Sequence, residues 1–584
     1  MSRNADAAPY NRNLETFFMA DTSVNILIGG EAGQGLVTVG DFLAKALVRA
    51  GYEIVVTQDY MSRIRGGHNT YGVRVGPEAV HAPREGVDIL VALDAATYAL
   101  HRESLTERAV VLVDEVLGQS AAGPRTLLVP FATLCPKPIF ENVAALGVLC
   151  SLLCLDGAFI ETIIQDTFAR KGEEVVAANL TVFAEAMAWT AAQNVTFTCI
   201  APATRTDRRI MLNGNEAIAL GAMAAGVNFC SFYPMTPGTS VALTLAAKGQ
   251  KMGVVVEQAE DEIAAVNMAL GASFAGGTAL VPTSGGGFAL MVEGISLSGM
   301  IETPVVIVVA MRPGPATGLP TRTEQADLNL VLYAGHGEFP RAIFAPGTVE
   351  QCFHLTHGAV HVAEKYQSPV FVLTDQFLAD SYRGVAPFDL AALPEVARPG
   401  TAHGGPGVYE RYAVTDSGVS PRLIPGFGDY LVVVDSDEHT ADGHITEDLG
   451  VRVVMQDKRM RKMAGLMADA VPPGLYGDPA CDVLLTCWGT TLGAALEAAA
   501  LVRDSGTSCA VLHFSQVFPL VPAQFLPLLE KCPRPVMVEG NATGQLARLI
   551  RQETGFVFAQ HILRYDGLPF TARYILDHLG SEHP

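Results

Sequence analysis

The stretch Gly253–Met268, GVVVEQAEDEIAAVNM, constrains this chain more than any other. An apolar β-branched run, Val254–Val256, turns through Glu257, Glu260, Asp261 and Glu262 into an alanine-rich helical pattern over Ile263–Leu270. Acids at a helix start have an ordinary explanation, because carboxylates favour the positive end of the helix dipole by roughly 0.3–1 kcal/mol each. The same order opens the chain. Val24–Ile28 is a short apolar strand that runs into Gly29-Gly30-Glu31-Ala32-Gly33-Gln34-Gly35, and Phe42, Leu43, Ala46 and Leu47 then recur at helical spacing between Val37 and Ala50. Strand, tight turn and helix begin a doubly wound α/β unit. The glycines do not follow GxGxxG, so the turn does not indicate a nicotinamide site.

Alternating strand and helix patterns continue through Val87–Leu93, Ala109–Val113, Glu141–Leu155 and Val175–Ala192, up to a polar, turn-rich linker at Ala201–Arg209. A second unit starts with the helix Asn213–Ala225 and contains the strands Val305–Ala310 and Val370–Asp375 and the helix Val349–Ala363. Residues 383–475 are less regular, with Asp435–Ile445 and the charged run Asp457–Lys462, DKRMRK, read as subunit contact. A third unit holds strands at Val483–Thr486, Ala510–Phe514 and Val536–Glu539 and a helix at Ala494–Asp504; Asn541 and Gln545 read as helix caps. The fold class is therefore α/β, three doubly wound and mostly parallel-sheet domains, which suits a chain of 584 residues at about 150 residues per domain.

With 39 basic against 60 acidic residues, a net charge of −21 argues against a nucleic-acid partner. Apolar runs such as Val143–Leu155 fall short of the roughly 18–20 residues of a membrane span. Residues 1–22 read as a polar arm without a signal peptide, and the expected location is cytoplasmic. None of the ten cysteines forms a CxxC pair, so all are expected as buried free thiols and not as cluster ligands. His354, His357 and His361 stand at helical spacing, but without a suitably placed glutamate they do not make a metal site. His336 is the histidine expected nearest the site.

Gly253–Met268 acquires a second meaning from its company: Phe232–Ser240 (FYPMTPGTS), Pro282–Gly287 (PTSGGG) and Met311–Gln325 (MRPGPATGLPTRTEQ). Together these segments resemble the α subunit of the 2-oxoacid:ferredoxin oxidoreductases, most of all the 2-oxoglutarate-using kind, with a γ-type domain fused in front. The resemblance divides the chain into a γ-type domain (23–200), a pyrimidine-binding domain (210–382), an inter-domain excursion (383–475) and a transketolase C-terminal-like domain (476–584). It implies thiamine diphosphate as cofactor, with a glutamate at the aminopyrimidine ring, where a carboxylate promotes removal of the thiazolium proton. Matching of the DEIAAVNMALGASFAG run places that role on Glu262, with Glu260 as the alternative. Thr236, held between Pro234 and Pro237, lies by the same resemblance near the reacting carbonyl, and Met235 departs mildly from the family's isoleucine. Ser284, Gly285 and Gly286 let main chain approach a flat ring.

Arg312 is assigned to the 2-oxoacid's C1 carboxylate and Thr321 to its neighbourhood, while Arg65, in the loop with Asp59, Tyr60 and Arg63, is assigned to the far carboxylate of a dicarboxylate. Two arginines at opposite ends suit 2-oxoglutarate, since a monocarboxylate leaves one unpaired. No GDG…N motif for diphosphate and Mg2+ occurs in the chain. The family carries that motif, a [4Fe-4S] cluster and the ferredoxin contact on a β subunit, so a heterodimer or a dimer of heterodimers is implied. The implied reaction converts 2-oxoglutarate and coenzyme A to succinyl-CoA. The rivals are the same chemistry on pyruvate, branched-chain or aryl 2-oxoacids, and a non-catalytic scaffold that docks an electron-transfer partner.

Overall fold

The computed structural model describes residues 23–31, 34–61, 67–120, 125–193, 197, 199–402 and 408–580. Residues 1–22 and the pair Arg63 and Arg65 lie outside the described residues.

The first unit contains β1 (Val24–Glu31), β2 (Glu53–Asp59), β3 (His68–Gly76), β4 (Val87–Ala92), β5 (Leu105–Asp114) and β6 (Thr126–Val129). Their order is β2-β3-β1-β4-β5-β6, parallel from β1 onward, with β3 antiparallel to both its neighbours. Alternation along the strands puts Ile26, Ile28, Val73, Val75, Ile89 and Val91 into one core with the helices Leu36–Arg49, Glu141–Leu152 and Glu173–Ala191. The last two helices pack together, and this return of the chain brings Cys154 to Cys199. Those two cysteines, expected as free thiols, are joined in a disulfide with Cα atoms 5.3 Å apart; the other eight are free and buried.

The second unit follows with β7 (Ile210–Leu212), β8 (Phe229–Phe232), β9 (Val255–Gln258), β10 (Ala279–Thr283), β11 (Val305–Met311), β12 (Ala342–Phe344), β13 (Pro369–Asp375) and β14 (Arg383–Val385), which pairs with β7. The third has β15 (Gly474–Tyr476), β16 (Val483–Trp488), β17 (Cys509–Phe514), β18 (Gln516–Phe518), β19 (Arg534–Glu539) and β20 (Gln560–Leu563). Its sheet runs β15-β17-β16-β19-β20, while β18 crosses over to close the edge of the second sheet, β18-β12-β13-β11-β10-β8-β9. Both sheets are parallel except at those added edges, β15 and β18. β11 reads VVIVVAM because both its faces are covered: Ile307 and Val309 enter a core shared with the third unit, and Val306 and Val308 enter the core of the opposite face.

Local chemistry fixes the helix starts. Asn213 caps the helix Gly214–Ala224 in a reciprocal capping box with Glu216. The first unit is tied to both others. Arg74 Nη1 donates to Glu497 Oε2 at 2.7 Å in a buried pair with the third unit, and Arg322 Nη1 donates to Asp59 Oδ2 at 2.7 Å toward the second. At the start of the helix Gln545–Thr554, whose N-cap position is Gly544, the Asn541 side-chain Oδ1 accepts from Thr543 N and Gln545 N, both at 3.2 Å, and Gln545 Nε2 donates to Ala326 O at 2.7 Å.

The charged run Asp457–Lys462 exposes Asp457 and Arg461 but not its lysines. It lies in a helix, Leu449–Ala468, and Lys458 and Lys462 turn inward onto Glu302 of the second unit, all three buried. The helix escapes a pattern reading because its inner face mixes Lys458, Arg459 and Lys462 with Met455 and Leu466.

Candidate active site

The acids of Gly253–Met268 divide their work. Asp261 caps the helix Glu262–Phe274, its carboxylate accepting from Ala264 N at 2.7 Å, while Glu257 and Glu260 are exposed. Glu262, first residue of that helix, is only 3% exposed, and its Oε1 has no hydrogen-bond partner. A polar atom buried in this way costs about 1–3 kcal/mol, and more when charged, unless something else satisfies it.

The next layer is the turn after β10. A Cβ on Gly287 would stand 2.5 Å from Glu262 Oε1 and 2.3 Å from Thr283 Oγ1, so glycine there leaves the carboxylate its space. Ser284, in the same turn, is fully buried with its Oγ unpartnered, and it does not cap the short helix Gly285–Leu290 that follows. Gly286 faces open space, with Ala316 O and Met235 Sδ as the nearest atoms to a Cβ, both at 3.9 Å.

The loop after β8 leans on this turn. Gly287 N donates to Met235 Sδ at 3.2 Å, and a Cβ on Gly238 would lie 2.4 Å from Thr283 O. Pro234 is exposed, Thr236 is half-buried, and the Thr236–Pro237 peptide is cis. Arg312, half-buried just beyond β11, donates from Nη1 to the Thr236 carbonyl at 2.8 Å, so the two residues meet through main chain and the Thr236 hydroxyl is not used. Burial lowers the Arg312 pKa against the opposing charge of Asp327.

Asp327 and Glu324 are the residues that motif reading missed. Asp327 occupies the N-cap position of the helix Leu328–Leu332, yet its side chain does not cap it. Its carboxylate presses on Gly285 instead, where a Cβ would come within 2.3 Å of Oδ2. Burial raises its pKa to about 6 although Arg312 pulls it down, and burial together with the Asp327 charge raises Glu324 to about 7. The only signal in the sequence was two acids three apart in TEQAD, directly after the proline-rich loop.

Thr321 is half-buried in a turn one residue before Arg322, the partner of Asp59. Glu262, Ser284, Gly285, Gly286, Thr236 and Arg312 are thus brought around one turn, whereas Arg65 lies outside the described residues. His336 belongs elsewhere: it lines a separate cavity of about 220 Å3 with Glu293, Glu338, Arg452 and Arg459. Among the described residues no group of three His, Cys, Asp or Glu side chains could hold a metal ion, and no helix is long and apolar enough to cross a membrane.

Known proteins are similar to this chain along nearly its whole length. Residues 25–189 match the family model described as pyruvate ferredoxin/flavodoxin oxidoreductase, and residues 220–458 match pyruvate flavodoxin/ferredoxin oxidoreductase, thiamine diphosphate-binding. The 2-oxoacid:ferredoxin oxidoreductase subunit alpha of a Sulfolobus species is 31% identical, covering 93% of this chain and 94% of the relative. The chain belongs to this family of α subunits. Another relative of the 2-oxoacid:ferredoxin oxidoreductase α subunit, the 2-oxoglutarate oxidoreductase subunit KorA of Mycobacterium tuberculosis, is 29% identical, with 97% of this chain and 91% of the relative covered. The 2-oxoglutarate:ferredoxin oxidoreductase structure from Magnetococcus marinus, solved with 2-oxoglutarate, coenzyme A and succinyl-CoA bound, superposes with a TM-score of 0.89 at 30% identity, covering 95% of this chain and 99% of that one.

The α subunit therefore carries a thiamine diphosphate-binding domain over residues 220–458. Its residues fit the ring end of that cofactor: an unpartnered buried carboxylate at Glu262, an unpartnered hydroxyl at Ser284, and a glycine turn whose Gly287 cannot accept a side chain.

Proposed function

We propose that this α subunit serves an enzyme that converts 2-oxoglutarate and coenzyme A reversibly to succinyl-CoA and CO2, passing electrons singly to ferredoxin. The observation that carries the reading is the buried Glu262 Oε1 without a partner beside Gly287. Bound thiamine diphosphate supplies the carbon nucleophile that decarboxylation of a 2-oxoacid requires. With the cofactor bound, Glu262 would hold a proton at Oε1 for its aminopyrimidine, Ser284 and the glycine turn would receive the ring, and Arg312 would anchor the substrate's C1 carboxylate beside Thr236 and Thr321. Tyr233, Ile263, Leu290 and Leu319 leave large apolar groups exposed around this mouth, which supports cover by a β subunit holding Mg2+, the diphosphate and a [4Fe-4S] cluster.

The choice of 2-oxoglutarate rests on relatives named for it and on Arg65 as a second cation. Pyruvate has one point in its favour, its place in both matching family descriptions. Turnover of 2-oxoglutarate, pyruvate, a branched-chain and an aryl 2-oxoacid by the co-purified complex separates the two. Arg65→Ala is expected to lower kcat/KM about 10- to 100-fold for 2-oxoglutarate alone. An equal loss on every acid, or pyruvate turned over best by the wild type, refutes the substrate assignment.

A further inference from the structure

The loop after β8, residues 233–238, carries Thr236 and is held through its carbonyls. Pro234 and Pro237 have no N–H to donate, so acceptors must do more of the holding. Met235 O accepts from Thr239 N at 3.2 Å, in the helix Thr239–Gly249 that follows. Thr236 O accepts from Arg312 Nη1 at 2.8 Å. Pro237 O accepts from a different element: Asn215 Nδ2 donates to it at 2.8 Å and also reaches Ser240 Oγ at 2.7 Å. A carbonyl can only accept, so the nitrogen of the Asn215 amide is the atom that faces Pro237. The carbonyls of 235, 236 and 237 are thus taken in turn by the next helix, by Arg312 and by Asn215.

The residues around Asn215 free it for this contact. It is the second residue of the helix Gly214–Ala224 and is fully buried. Asn213 and Glu216 close the capping box between themselves, so the helix start does not draw on Asn215. A Cβ on Gly214 would stand 2.4 Å from Leu378 O, so glycine there seats the helix start directly on the helix Gln376–Asp380. The Asn215 Oδ1 is buried without a partner among the described residues, an arrangement that costs stability and so does not account for the side chain.

We infer that Asn215 is a positioning residue of the 2-oxoacid site: by fixing the Pro237 carbonyl it holds the adjoining Thr236 carbonyl where Arg312 docks, and so sets the direction in which the guanidinium meets a C1 carboxylate. This rests on the reading of Arg312 as the carboxylate anchor. A guanidinium presents its donors in a rigid planar fork, so a bond from Nη1 to main chain orients the donors that remain. The C1 carboxylate is common to all 2-oxoacids, and Asn215 therefore acts on every one of them alike.

The test is steady-state kinetics of the purified holo complex, with oxamate and N-oxalylglycine as non-reacting probes of the carboxylate site. Asn215→Ala is expected to raise the KM for 2-oxoglutarate and the Ki of both probes together, about three- to tenfold, with a smaller fall in kcat and no change in the KM for coenzyme A. In an Arg312→Lys background the same substitution should alter the oxamate Ki by no more than about twofold, because both changes disturb one contact. Asn215→Asp keeps the shape but can donate to Pro237 only when protonated. Its oxamate Ki should approach the wild-type value at pH 6 and depart from it toward pH 8, which decides the matter should Asn215→Ala fail to assemble. A wild-type Ki in Asn215→Ala, the full effect retained beside Arg312→Lys, or a ratio of Asn215→Asp to wild type that is flat with pH overturns the inference. Arg312→Lys alone is the control: an unchanged oxamate Ki there defeats the anchor reading itself, whereas a Ki raised there and unmoved in Asn215→Ala defeats this inference alone.

Discussion

Glu262 and Glu302 stand some forty residues apart in one domain and are equally withdrawn from water, at 3% and 1% exposure, yet their surroundings are opposite. Glu302 accepts from Lys458 Nζ at 2.7 Å, forms an ion pair with Lys462, and lends its own carbonyl to Arg411 Nη2 at 2.6 Å. Glu262 has an oxygen with no partner among the described residues. A buried carboxylate is costly, so a chain retains one for one of two reasons. Glu302 joins the Leu449–Ala468 helix and the 411–412 segment to the sheet through its ion pairs with Lys458 and Lys462, and Glu262 has no ion pair among the described residues, as its proposed role at the cofactor ring requires.

The largest expected effect separates them at once. Glu262→Gln keeps volume and hydrogen-bonding atoms but cannot hold the proton, so turnover of the assembled complex should fall about 10²- to 10⁴-fold while its melting temperature holds. Undiminished turnover with intact assembly would favour the scaffold reading of this subunit. Glu302→Ala should do the reverse. It leaves three buried cations without their anion, and removing one member of such a cluster costs about 3–5 kcal/mol. Chemical denaturation should show a lower midpoint, and the enzyme molecules that remain folded should turn over at the wild-type rate. A variant at 302 that is slow but stable would erase the distinction.

The same contrast explains what was legible in the chain alone. Uninterrupted runs such as VVIVVAM and motif segments such as PTSGGG announce themselves, because a strand covered on both faces and a ring-approaching turn each demand particular residue types. Glu262 is preferred to Glu260 only through the family resemblance of the DEIAAVNMALGASFAG run, and the structure puts the first inside and the second in solvent. The DKRMRK run could not be read, since nothing local reveals that Lys458 finds its partner 156 residues away. Asp327 was invisible for a similar reason: its signal is a capping bond not made, and only coordinates show that. Cys154 and Cys199 are separated by 45 residues, and no spacing rule joins them.

The smallest effect is the most discriminating about Glu302. Burial pushes its carboxyl up, but Lys462, Lys458 and Arg411 outweigh that and bring it down to about 2; burial lowers Lys462 to about 8 even though Glu302 attracts it. The two directions are consistent because one anion is shared among three cations: the carboxylate is more than neutralised, and each cation less than fully so. The consequences for stability have opposite signs at the two ends of the pH scale. Glu302 is depressed on folding, so its contribution is complete above its ordinary value of 4.5 and drains away as pH falls toward about 2. Lys462 is depressed as well, and its protonated form opposes folding in full below about pH 8; that opposition is relieved as pH rises from there toward its ordinary 10.5. Denaturation midpoints measured from pH 3 to 10 should therefore fall on the acid side and carry an upward component above pH 8. Lys462→Met should remove the part of that component beginning near pH 8 and change stability at pH 7 by no more than about 1 kcal/mol, since Lys458 and Arg411 still neutralise Glu302. Should Lys462→Met instead cost as much as Glu302→Ala, the carboxylate needs all three cations, and the picture of a shared, over-neutralised anion fails.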